Sequence, residues 1–109
     1  MKKKNVVKSN QDFNRIIQNN KPYKYKDYVI YIEKIDSNEY HFGVSVSKKI
    51  GNAVVRNKLK RQIRSIISKK DYQKKFNCII ILGRGILERS YQEMEDNLIE
   101  AFKKLDIYC

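Results

Sequence analysis

The chain has 109 residues with one proline, four glycines and a formal charge of +12, from 24 basic and 12 acidic side chains. That length supports one modest core and not two, and the absence of any low-complexity tract argues against a long disordered tail. The charge says nothing about the fold, but it points to salt-sensitive binding of a polyanion through its phosphates.

The opening Met1-Lys2-Lys3-Lys4-Asn5 has the charge of a secretory n-region, but only Val6-Val7 follows, so an apolar h-region is missing. Ser9, with Asp12 three residues on, resembles a capping box and predicts a short helix from about Asn10 to Asn19. Phe13, Ile16 and Ile17 form its apolar face, with Arg15 beside them. Lys21-Pro22 ends it, because proline disfavours the α region in the residue before it.

Tyr23 to Ile35 then reads as extended chain, rich in tyrosine and β-branched residues. Tyr23, Tyr25, Tyr28 and Tyr31 interleave with Lys21, Lys24 and Lys26. Two readings stay open here. One is a half-buried strand whose lysines discourage edge pairing; the other is an aromatic platform for unpaired bases, flanked by phosphate-binding charge. Asp36-Ser37-Asn38-Glu39 is a turn, and Tyr40 to Ser47 is the next strand. Tyr40, Phe42, Val44 and Val46 point one way, while His41, Gly43, Ser45 and Ser47 point the other and leave space above the sheet. His41 is the only histidine, and without an evident partner it reads as a surface strand residue rather than a catalytic base.

Between Glu39 and Asp71 there is no acidic residue, and nine lysines and arginines fall in that window. Asn52 suits an N-cap, and Val55, Leu59, Ile63, Ile66 and Ile67 recur at helical spacing as one apolar stripe. At about 100° per residue, Asn57, Lys60, Arg61 and Arg64 gather away from that stripe, with Arg56 and Lys58 on its borders. No carboxylate stands four positions away to neutralise these charges, as on an ordinary solvated helix. Such self-repulsion suits a face that a polyanion covers, and the expected polyanion is nucleic acid.

Cys78-Ile79-Ile80-Ile81-Leu82 is a continuous apolar run of strand length, suggesting an interior strand. It is also far too short to cross a bilayer. Gly83-Arg84-Gly85 follows as a loop and lacks the third glycine of a dinucleotide site. Ser90 and Glu93 form a second capping box, opening a helix whose core face is Tyr91, Met94, Leu98, Ala101, Phe102 and Leu105. Cys78 and Cys109 have no metal-ligand neighbours and read as reduced thiols of a soluble, cytoplasmic protein. The order of helix, strands, basic helix, strand and helix gives an α+β fold, one sheet with helices packed on it, in a single RNA-binding domain over residues 1–109.

These residues resemble the bacterial ribonuclease P protein subunit family. The resemblance rests on Phe42-Gly43-Val44-Ser45-Val46-Ser47-Lys48-Lys49, on Ile50-Gly51-Asn52-Ala53-Val54, and on Arg56-Asn57-Lys58-Leu59-Lys60-Arg61 with Arg64. It extends to the Asp12-Phe13 helix and to the strands at Tyr28 to Ile32 and Ile79-Ile80-Ile81, covering nearly the whole chain in order. It implies an α-β-β-β-α-β-α sandwich with a left-handed crossover, a hand that general rules would not supply. It implies docking on a catalytic RNA by Lys48, Lys49, Arg56, Lys58 and Arg61. Lys58 stands where the family's signature has a second arginine, keeping the charge without the bidentate fork.

The resemblance further implies that the single-stranded 5′ leader of precursor tRNA lies in a cleft, at Phe13, Tyr31, Asn57, Lys60 and Arg64. Ile17 stands where a second phenylalanine is common. The expected function is removal of that leader to give the mature tRNA 5′ end, by an endoribonuclease whose RNA subunit performs the chemistry with Mg²⁺. No catalytic or metal-binding residue is expected on the protein, which has one histidine and no ligand cluster of the usual spacing. The expected partners are the catalytic RNA and precursor tRNA, with no membrane and no evident protein partner. A structural or ribosomal RNA-binding protein fits charge and aromatics equally well, and only the long motif separates the two.

Overall fold

The computed structural model describes residues 3–7 and 9–109; the Met1-Lys2 start of the n-region reading lies outside them. Helix α1 (Asn10–Asn19) begins where Ser9 Oγ accepts the Asp12 backbone N–H at 3.0 Å. Only this half of the expected capping box forms. The Asp12 carboxylate turns instead to Arg15 at 2.7 Å.

The stretch expected to run extended from Tyr23 to Ile35 is two strands, β1 (Tyr23–Tyr25) and β2 (Tyr28–Lys34), folded back on each other. Lys26 and Asp27 make the turn, with Lys26 at φ 51°. That left-handed conformation is usual for glycine and uncommon for lysine, so no sequence signal marks the turn. The Asp27 carboxylate accepts from Arg89 at 2.7 Å and packs so closely on Gly85 that a β-carbon there would overlap it.

β3 (Tyr40–Val46), α2 (Ala53–Ile67), β4 (Phe76–Leu82) and α3 (Tyr91–Leu105) complete the chain. Asn52 caps α2 by accepting the Val55 N–H at 3.0 Å. Ser90 and Glu93 cap α3 reciprocally, at 3.1 and 2.9 Å. The Gly83-Arg84-Gly85 loop continues as a short 3-10 helix, Arg84–Glu88.

The four strands run in the order β1-β2-β4-β3, with β4 antiparallel to β2 and parallel to β3. The apolar Cys78–Leu82 run is thus an interior strand, as expected, and α2 joins the parallel pair. Strand alternation divides the core in two. On one face Phe42, Val44, Cys78 and Ile80 pack against Leu59, Ile63 and Ile66 of α2 and Leu98 and Phe102 of α3. On the other, Ile16 of α1 is buried in one cluster with Val7 and Ile79, with Phe13, Ile17, Tyr31 and Ile81 half-buried around them. The same alternation breaks up the tyrosine platform. Tyr28 is buried and Tyr23 and Tyr25 pack on the α2/α3 side, leaving Tyr31 alone on the α1 face.

Candidate nucleic-acid interface

The back of α2 is fixed by Leu59, Ile63, Ile66 and Ile67, all buried. Its front carries Arg56, Lys58, Lys60, Arg61 and Arg64, and among the described residues none of these five pairs with a carboxylate. Asn57, Lys60, Arg61 and Arg64 line one concavity, as the helical spacing anticipates. Arg56 is half-buried, and its Nε is shielded from solvent without a hydrogen-bond partner. A donor left in that state is costly.

α1 supplies the opposite wall. Phe13, Asn10, Asn14 and Ile17 from α1, Ser45 from β3, and Lys60 and Arg64 from α2 line an open groove of about 490 Å³. The small row on β3 explains how the walls approach. Gly43 leaves room for the Phe13 ring to lie on the sheet, and Ser45 remains open in the floor. Lys60 and Arg64 belong to both concavities, so cations link the groove to the exposed front of α2.

Not every expected site residue joins this groove. Of the expected leader residues, Tyr31 packs half-buried in the apolar seam beneath α1 and Asn57 lines the adjoining concavity on the front of α2, so neither lines the groove. Lys48 and Lys49 are exposed in the turn after β3, and Lys49 lines a separate hollow with Arg84 and Leu87. Asn10 and Asn14 were missed by the sequence reading. The signal was available, since positions 10, 13, 14 and 17 share one helix face.

The expectation that His41 is an unpartnered surface residue is wrong. Its Nδ1 meets Asn77 Oδ1 at 2.7 Å and its Nε2 meets Glu39 Oε2 at 3.1 Å. Asn77 in turn donates to Glu33, which pairs with Arg15. Strand register brings His41, Asn77 and Glu33 together from positions far apart in the chain, which no local pattern reveals, whereas Glu39 lies only two residues from His41. The Arg15 hydrogen bond holds the Glu33 carboxyl below its usual range; burial, the next largest effect, opposes it, and the Asn77 hydrogen bond adds to the lowering. Burial pushes the Cys78 thiol up, the reverse of an activated nucleophile. Among the described residues, no three His, Cys, Asp or Glu side chains gather as metal ligands, and no helix is long and apolar enough to cross a membrane.

A family model described as Ribonuclease P matches residues 1–106. The chain belongs to the ribonuclease P protein family. It is 43% identical to the ribonuclease P protein component of Streptococcus gordonii over 111 residues, covering 99% of this chain and 92% of that one. It is 40% identical to that of Streptococcus agalactiae serotype III over 104 residues, covering 94% and 95%. The solved RNase P protein of Staphylococcus aureus superposes with a TM-score of 0.86 at 28% identity, over 96% of this chain and 98% of that one. Membership of the ribonuclease P family makes this chain a protein subunit of that endoribonuclease, acting in tRNA processing.

Proposed function

We propose that this subunit docks on the catalytic RNA of ribonuclease P through Arg56, Lys58 and Arg61, with Lys48 and Lys49 adding charge, and that it holds the 5′ leader of precursor tRNA in the groove between α1 and α2. The observation that carries this reading is the meeting of Phe13, Lys60 and Arg64 in one groove. An aromatic ring beside two cations suits a single strand, whose bases stack and whose phosphates pair with the charges. Arg61 continues the cationic track beyond the groove, with the neutral Asn57 amide beside it. Tyr31 supports α1 from the sheet side.

The chain's part in the reaction is binding and orientation. Charge on α2 brings the RNA close, and the groove fixes the leader so that the phosphodiester at the tRNA 5′ end reaches the catalytic RNA. In this reading Mg²⁺ belongs to the RNA subunit, where the chemistry is performed. Two free cysteines accord with a cytoplasmic setting.

The test is cleavage of precursor tRNA by protein alone, cognate RNA alone, and both together, with binding measured for a long leader and a single-nucleotide leader. Only the samples containing RNA should cleave, and the protein should tighten binding of the long leader more than the short one. Cleavage by protein alone, or equal tightening for both leaders, would refute the reading.

A further inference from the structure

A row of polar side chains crosses the α1 face of the sheet without entering the groove. Glu33 on β2 stands opposite Asn77 on β4, and Asn77 opposite His41 on β3. Asn77 is only 8% exposed, and both ends of its amide are engaged. Its Oδ1 meets His41 Nδ1 at 2.7 Å, and its Nδ2 donates to Glu33 Oε1 at 2.8 Å. Flipping the amide would set its oxygen against the Glu33 carboxylate, so the orientation is fixed. Glu33 then accepts a fork from Arg15 of α1, Nη2 to Oε1 at 2.9 Å and Nε to Oε2 at 3.3 Å. Arg15 closes the row on Asp12 at 2.7 Å.

The apolar hold on α1 is slight. Ile16 is its one buried residue, with Phe13 and Ile17 half-buried beside it. So narrow an apolar stripe by itself constrains the roll of the helix only weakly. Arg15 lies about 160° round the helix from Phe13, so it grips the sheet on the flank away from the groove. Fixing one flank fixes the roll, and the roll sets where Asn10, Phe13 and Asn14 stand relative to Lys60 and Arg64.

We infer that Arg15, Glu33 and Asn77 are positioning residues for the leader groove, anchoring α1 from behind so that its front keeps a working distance from α2. This inference rests on the groove reading above. The ion pair is about half exposed on the Arg15 side, and such pairs add little stability. The forked geometry, backed by the buried Asn77, supplies direction instead.

The experiment uses reconstituted holoenzyme carrying Glu33→Ala, Arg15→Ala, both together, or Lys60→Ala as the groove control. Affinity is measured for precursor tRNA with a long leader and with a single-nucleotide leader, alongside thermal melts of each protein. Each single variant should lower long-leader affinity by about fivefold, on the order of one weak interaction, and leave short-leader affinity unchanged. The double variant should be no weaker than either single one, because one tie is lost in all three. Glu33→Gln, which keeps an acceptor for Arg15, should recover part of the loss. Equal losses for both leaders, or additive losses in the double variant, would overturn the inference. If Lys60→Ala discriminates by leader length while Glu33→Ala does not, the anchor is refuted and the groove stands. If neither discriminates, the groove reading fails and the inference with it.

Discussion

Phe13 and Gly43 share one volume: a β-carbon on Gly43 would stand 2.5 Å from Phe13 Cζ and 2.8 Å from Ile79 Cδ1. The ring lies directly on the sheet because β3 presents no side chain there. Gly43→Ala should therefore lift Phe13 or strain Ile79, at about 1–3 kcal/mol of stability. Long-leader affinity should fall with it. Thermal melts of Gly43→Ala, Phe13→Ala and the double variant check this. The double should lose less than the sum, and strictly additive losses would mean that the two side chains do not compete.

Arg61 stands on the open front of α2, away from Leu59 and Ile63. Arg61→Ala should leave the fold intact and weaken binding of the catalytic RNA. The logarithmic dependence of affinity on salt should become shallower by up to about one unit for each lost phosphate contact. A salt titration of RNA binding, wild type against variant, reads this directly. An unchanged slope removes Arg61 from the interface.

Tyr31 and Phe13 flank the same seam but differ in what they face. Tyr31 packs beneath α1 outside the groove, whereas Phe13 lines it. Tyr31→Ala should chiefly lower stability, by about 1–3 kcal/mol for a half-buried aromatic, and weaken long- and short-leader binding alike. Phe13→Ala should reduce long-leader binding selectively, by on the order of 1–3 kcal/mol if a base stacks on it. Selective loss in Tyr31→Ala would return that residue to the leader site.

Glu33 links stability to pH. Its carboxyl is held below the usual value chiefly by the Arg15 hydrogen bond. Its stabilisation is complete above the unfolded value of about 4.3 and is lost as pH falls through the lower folded value. Melting temperature followed from neutral to acid pH should drop less steeply in Glu33→Gln than in the wild type. Parallel curves would show that Glu33 is not coupled to folding.

Local chemistry made much of this architecture legible. The cap at Asn52 and the stripe from Val55 to Ile67 set α2, and Ser90 with Glu93 set α3, because caps and apolar spacing act within a few residues. Cys78 to Leu82 was readable as interior because a strand buried on both faces leaves no polar alternation. The turn at Lys26 was not readable, since a lysine at positive φ carries no mark of it. Nor was the row from His41 to Arg15. His41 and Asn77 are 36 positions apart, and Asn77 and Glu33 are 44 apart. Only strand register unites them. At the groove, helical spacing placed Lys60 and Arg64 on one face of α2. Phe13 came to face them by seating over Gly43, while Tyr31 stayed in the seam beneath α1, and neither contact is visible in local spacing.

Because β4 lies between β2 and β3, those two strands share no ladder of their own. A chain emerging from its N-terminus can complete the small β1–β2 hairpin and nothing more of the sheet until Phe76–Leu82 has been made. Assembly is therefore late and non-local, the regime in which loop closure slows folding. The basic helix is synthesised before the strand that completes the wall behind it. Loss of the final third of the chain, beginning at Phe76, removes the sheet rather than one strand of it.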